Sequence, residues 1–525
     1  MKTLTKALPL AVSFFFILLF IYASASKILD FENFQMQLAQ SPLLSAYAGF
    51  VSYAVIIFEL LIAVLLCFKR SRLPGLYASS ALMAAFTVYI FLILNYSDFV
   101  PCSCGGILEK MGWTEHLIFN CACVVMADLA IAAGYPLAPL LSNAVHSEEE
   151  RNQNYRQRRA GVRALALSVA AALAVPAGLM TALFFSSEHV MTKENNFTRR
   201  FPHHPILEQQ SYDLKVNSYY FAGHHDGTVY LGNLSSPFRL FTIDRHHKKM
   251  DTLNLIPATN HRFRNLRYVL QEKILYAYDG TVPVIYASSI DSLKNPLFEM
   301  SVNDVYFDQM VPLSPSEYVM RVKDKATQRA ALASLSLFAD PKVRIINSVL
   351  TRKADGGFDA DGRLLYDAAS DHIYYLFYYR NQILQFDKHL KVTARMKTID
   401  TISTSQIQTT VLKDGSKKMS APPVMVNKEM TAYKGLIFNR SNLTGKHEPK
   451  EMWKRNAVVD IYTTAPAGYW GSMYVQNRGK NAMSQMLVTD SYFYILSGNE
   501  IVRYRFAQTL TENFIKGGSR KPVSE

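Results

Sequence analysis

Cysteine is scarce in this chain: five among 525 residues, and none after Cys123. The long C-terminal part therefore holds no disulfide, and its core must stand on apolar burial alone. No Cys-x-x-Cys-His run occurs, which excludes attached c-type haem. Cys-x-x-Cys pairs of the kind a quinone-linked disulfide oxidase carries are missing too. No Gly-x-Gly-x-x-Gly fingerprint offers a nucleotide a phosphate cradle, so no bound cofactor is indicated. The net charge of +14 raises the question of nucleic acid, but no basic, glycine-aromatic RNA-binding signature is present. Much of that charge lies in short loops beside apolar segments, where it has a topological meaning.

What the chain does have is long apolar runs, all before about residue 185. A membrane span needs roughly 20 mostly apolar residues. Five stretches qualify: 8–26, 48–68, 76–96, 116–135 and 162–185. The first has Lys2 and Lys6 ahead of it and Ala23-Ser24-Ala25 behind it, which also suits a cleaved secretory signal. We read it as a retained span. Lys2 and Lys6, then Lys69, Arg70 and Arg72, then Arg151, Arg156, Arg158, Arg159 and Arg163 alternate along the chain as cytoplasmic loops do. The loops at 27–47 and 97–115 then fall outside, and the fifth span delivers everything after about 186 to that same side. A bacterial inner membrane with a periplasmic C-terminal domain is the expectation.

The thiols gather at one place on that outer side. Pro101-Cys102-Ser103-Cys104-Gly105-Gly106 lies between the third and fourth spans, and Cys121 and Cys123 follow within the fourth. A Cys-x-Cys ring is very small, and strain makes a disulfide easier to reduce. The proline and the glycines allow a tight turn and close approach by a partner. Three readings stay open: exchange with a periplasmic thioredoxin-like protein, capture of Cu(I) or Zn by Cys102, Cys104 and His116, or a structural disulfide from the loop to Cys121. Cys121 and Cys123 are roughly 200° apart around a helix, so they cannot bond to each other. One of the two is expected to face the loop thiols. Cys67 lies at the opposite membrane face.

Glu59, midway along the second span, and Asp128, inside the fourth, are costly in a bilayer and should face the bundle interior. Glu59 is a candidate proton acceptor; a protonated acid held by Asn95, Asn120 or a tyrosine is the alternative. Lys27 and Asp30 read as an interfacial pair, with Lys27 in reach of the loop thiols.

The runs Ala25-Ser26-Lys27-Ile28-Leu29-Asp30-Phe31 and Gln37 to Leu44, Glu59, Pro101 to Gly106, and Gly112-Trp113-Thr114-Glu115-His116-Leu117 together resemble the MauE/DoxX-like redox-associated membrane proteins, most of all their Bacteroidetes versions. The resemblance covers about residues 1–140. It implies a four-helix bundle with paired extracytoplasmic cysteines, with Cys102 and Cys104 at the family's Cys-x-Cys loop and Glu59 at its second-span acid. It also implies methylamine utilisation, in which such a protein helps a periplasmic thioredoxin-like partner form disulfides. On this reading Cys102, Cys104, Cys121 and Glu59 carry the exchange, and Cys121 resolves it. The chain departs from the family in its fifth span and its large extra domain.

From about 200 to 510 the chain reads as strand after strand. Tyr219-Tyr220-Phe221 and Val229-Tyr230-Leu231 flank Asp226-Gly227, and Ile274-Leu275-Tyr276 and Val284-Ile285-Tyr286 flank Asp279-Gly280. Such units recur six times at roughly blade spacing, which predicts a six-bladed β-propeller. A pair of β-sandwiches is the alternative. The expected organisation is a transmembrane domain at 1–140, a cytoplasmic linker at 141–161, a fifth span at 162–185, the propeller at 200–510 and a disordered tail at 511–525. Three His-His pairs, at 203–204, 224–225 and 246–247, read as surface loops, since adjacent strand residues point to opposite faces. Tyr469, Trp453 and Trp470 are read as core, or else as a binding surface.

Overall fold

The computed structural model describes residues 2–41, 44, 47–96, 112–134, 148–191, 195–244, 246, 249–259, 261–293, 296–325, 329–350, 357–413, 415 and 417–515. They form two compact units, one of residues 1–193 with 408–422 and one of residues 194–407 with 423–525.

The first unit is helical. Five of its helices are long and apolar enough to cross a membrane: α1 (Lys2–Leu29), α3 (Ala48–Cys67), α4 (Arg72–Tyr96), α5 (Trp113–Gly134) and α6 (Glu148–Met191). Between α1 and α3 lies a short amphipathic helix, α2 (Phe31–Gln40), which buries Phe34, Leu38 and Ala39. By sequence pattern alone this stretch reads as loop. α6 is 44 residues long, so it rises about 66 Å, well beyond one span.

Side-chain distribution in the bundle suits lipid as solvent. Phe14, Leu18, Phe50, Ile57, Ile118 and Leu167 point outward and are well exposed. Ser13, Ser24, Ser52, Ser79 and Ser80 are buried between helices. Small hydroxyl residues let backbones approach and bond within the bundle: Ser13 and Ser79 donate to the carbonyls of Pro9 and Gly75, at 2.6 and 2.8 Å. A Cβ at Gly75 would meet Leu66 at 2.9 Å, so glycine sets how closely α4 passes α3. The protein is a multi-pass membrane protein.

The same unit contains a hairpin, Thr409–Val411 with Lys417–Met419, that lies against α2. Gln40 donates to the Met419 carbonyl at 2.9 Å, and Lys413 pairs with Glu32 at 3.3 Å.

The second unit is a six-bladed β-propeller. Its four-stranded sheets are blade 1 (219–254), blade 2 (267–302), blade 3 (309–346), blade 4 (362–396), blade 5 (427–476) and blade 6, where 483–506 is joined by Ile206–Asp213. That early strand pairs antiparallel with Glu500–Phe506, so the two ends of the ring are hydrogen-bonded together. The first strands of neighbouring blades lie side by side around the axis.

Each blade alternates side chains between its two faces, and each face packs on a neighbour. In blade 4, Ile373, Tyr375 and Phe377 join a cluster with blade 3, whereas Tyr374 and Leu376 join one with blade 5. Four other large clusters likewise lie between blades. Tyr469 bonds Ser472 at 2.6 Å, Trp470 packs on the cluster between blades 5 and 6, and Trp453 donates to Glu448 at 2.5 Å.

Candidate functional site

α1 ends, α3 begins, α4 ends and α5 begins at one end of the bundle, and the loop that carries Cys102 and Cys104 joins α4 to α5 there. Cys102 and Cys104 themselves lie outside the described residues.

A polar cluster joins the last turns of α1 to the middle of α3. Glu59 is 1% exposed. Its Oε1 accepts from Lys27 Nζ at 2.7 Å, and its Oε2 accepts from Ser24 Oγ at 2.9 Å. Ser24 and Lys27 are three residues apart on α1 and so share a face. The Lys27 ammonium also reaches the Ala23 carbonyl at 3.4 Å and stands 5.7 Å from the centre of the Phe34 ring on α2.

This corrects the expected pairing of Lys27 with Asp30. Asp30 lies past the end of α1, starts α2, and accepts from Asn33 at 2.6 Å. Lys27 instead turns inward, because a buried carboxylate one helix away needs a cation more than a surface carboxylate does. The alternative partners for Glu59, Asn95 and Asn120, do not contact it; Asn95 bonds the Phe91 carbonyl at 2.8 Å. Asp128 accepts from Ser80 at 2.7 Å, deeper in the bundle.

On α5, His116, Asn120, Cys123 and Ala127 follow one another at helical spacing on the interior side. His116 is half-buried and lies within electrostatic reach of Lys27. Asn120 is 1% exposed, and its Nδ2 has no hydrogen-bond partner among the described residues. Cys123 is fully buried among Phe16, Phe20 and Ile62. Cys121 is exposed on the outward side, as the helical angle between the two thiols requires.

Sequence reasoning found Glu59, Lys27 and His116 but missed Ser24. Its signal was present in Ala23-Ser24-Ala25, read as cleavage-like; here small residues let α1 approach α3. Among the described residues, no three His, Cys, Asp or Glu side chains are placed to share a metal ion.

Residues 5–135 match the family described as methylamine utilisation protein MauE. A search of curated proteins gave no match. Among solved structures, a DUF4221-family protein from Bacteroides vulgatus is 12% identical, covering 60% of this chain and 99% of its own, with a TM-score of 0.39. A protein of unknown function from Bacteroides thetaiotaomicron is 10% identical, covering 57% of this chain and 76% of its own (TM-score 0.37). A virginiamycin B lyase from Staphylococcus aureus is 8% identical, covering 57% and 98% (TM-score 0.34).

Proposed function

We propose, from the premise that residues 5–135 form a MauE-family membrane domain, that this protein relays thiol–disulfide equivalents at the outer face of a bacterial inner membrane. In this reading the C-terminal propeller is periplasmic, and the exchange partner is a periplasmic thioredoxin-like protein. A partner thiolate attacks one sulfur of a Cys102–Cys104 disulfide, giving a mixed disulfide and one free thiolate on this chain. The partner's second thiolate then attacks the mixed disulfide. The partner leaves oxidised, and this chain holds two thiols, having gained two electrons and two protons.

The observation that carries the reading is the buried Lys27–Glu59–Ser24 cluster, whose Lys27 stands in the last turn of α1, at the end of the bundle where the thiol loop attaches. A carboxylate and an ammonium held out of water are suited to passing protons as the thiols change state. His116 extends that polar path along α5. Cys121, exposed on α5, would serve as the resolving thiol.

Thiol trapping in intact cells tests this reading, with mass spectrometry of the Cys102–Cys104 peptide before and after a pulse of reductant. The expected result is a pair that cycles, with Cys104→Ser accumulating a mixed disulfide. A pair that never changes state, or function indifferent to Cys102→Ser, refutes the relay. The bundle would then be an anchor and the propeller the working part.

A further inference from the structure

One end of the propeller channel gathers charged side chains from four blades. Arg267, Gln309, Arg363 and Glu429 all stand within the first three residues of their blades' innermost strands. Opposite them in register are Tyr278 beside Arg267, Arg321 beside Gln309, and Arg440 beside Glu429. Tyr278 belongs to blade 2 and Arg363 to blade 4, yet the two interact electrostatically, as do Arg267 and Tyr278. Blade 3 separates them around the ring, so this interaction runs past it at that end of the propeller.

Within this group the arginines differ in how fully they are occupied. Arg321 is locked: its Nε donates to both Asp308 oxygens at 2.8 and 2.9 Å, and its Nη1 to Asp361 at 3.2 Å and Tyr375 at 3.4 Å. Arg440 donates to the Met483 carbonyl. Arg267 uses its Nε on Asn265 at 2.9 Å and lies 5.0 Å from the centre of the Tyr220 ring. Arg363 is different. Its Nε is buried without a hydrogen-bond partner, and its ion-pair partner Glu429 stands 3.7 Å away, too far for a hydrogen bond. The side chain as a whole is 40% exposed, so part of it stays open to solvent.

A buried donor left unmade is costly, and an arginine fork presents its free edge to a planar acceptor. Arg267, Arg321, Arg363 and Arg440 are met by the carboxylates Asp308, Asp361 and Glu429, which leaves one positive charge in excess. Burial also pushes the Glu429 carboxyl upward, against the pull of Arg363 and Arg440, so its claim on Arg363 is weakened. A planar carboxylate meets the edge of a planar guanidinium in two parallel hydrogen bonds. The hydroxyl-bearing rings of Tyr278 and Tyr378, both within electrostatic reach of Arg363, line the same space.

We propose that this mouth of the propeller channel is a binding site for a small carboxylate ligand, held by the free edge of Arg363 with Arg267 in the same charged group. The site is independent of the thiol chemistry, since it uses the propeller alone.

The test uses the full chain in detergent, with succinate as the probe. Phenylglyoxal modification of arginines is followed peptide by peptide by mass spectrometry, with and without succinate, and with phosphate or chloride at equal ionic strength. Arg363 is expected to react faster than Arg321, and succinate to slow Arg363 by about fivefold or more while leaving Arg321 unchanged. In calorimetry, Arg363→Gln is expected to abolish succinate binding, and Glu429→Gln, by removing the competing carboxylate, to tighten it about tenfold. Equal Arg363 rates with and without succinate, or protection by phosphate but not succinate, overturns the proposal. Because the labelling is read on the unaltered protein, a misfolded variant does not obscure the result.

Discussion

Glu59 and Lys27 are 32 residues apart in sequence and meet at 2.7 Å, with the carboxylate buried in the bundle. A pair in that setting is held by its partners more than by its own attraction, because either charge alone is stranded. Glu59→Gln and Lys27→Met should each lower the stability of the full chain in detergent by about 3 kcal/mol. The double variant should lose clearly less than the sum. Thermal unfolding followed by helical circular dichroism measures all three, and strict additivity would refute the coupling. Glu59 was legible because an acid inside an apolar run is rare. Its partner was not, because Asp30, three residues from Lys27, looked closer along the chain. Cys121 and Cys123 were legible as a divergent pair, since helical geometry alone sets their angle.

Strands and turns show a similar division. The sequence reading picked out Ile274-Leu275-Tyr276 and Val284-Ile285-Tyr286, which are the middle strands of blade 2, apolar because both faces are covered. Outer strands such as Met250–Asn254 are half exposed and carry little signal. α2 is not legible as a helix in the sequence because its buried residues are only three in ten. Asp279, beside the turn glycine, does more than shape that turn. It is fully buried, and its Oδ2 accepts from the backbone N–H of Arg264 and Asn265 at 2.6 and 2.7 Å, while its Oδ1 accepts from Thr281. Burial pushes the carboxyl upward, but these hydrogen bonds outweigh it and hold it below the ordinary value. A carboxyl depressed by folding stabilises the native state above its unfolded pKa of about 3.9, and that contribution fades as pH falls through the folded value. Asp279→Asn should therefore cost about 2 kcal/mol at neutral pH. The gap between variant and parent should stay level down to about pH 5 and narrow below about pH 4. Denaturant midpoints of the β-sheet signal across that range test it, and a gap independent of pH refutes it.

At the scale of the whole molecule, the six largest apolar clusters among the described residues of the propeller lie between blades, and the ring holds when its ends are joined. The joint is Ile206–Asp213 on Glu500–Phe506, and Val502 there is fully buried. Val502→Asp places an unpaired charge in the cluster shared by blades 5 and 6, at a cost of about 4 kcal/mol or more. The β-sheet signal should then be lost in one step at lower temperature, while the helical signal of the membrane unit keeps its own transition. A stepwise loss that leaves five blades folded would show that closure is not required. Local pattern was enough to determine the membrane spans, the β-propeller that follows them and the intramembrane acid, because apolar periodicity and run length record how much of each element is buried. Which strand closes the ring, which cation meets Glu59, and the group around Arg363 at the channel mouth were decided by tertiary structure. Each depends on residues distant in sequence that packing alone brings together, and burial pattern records depth without recording the neighbour.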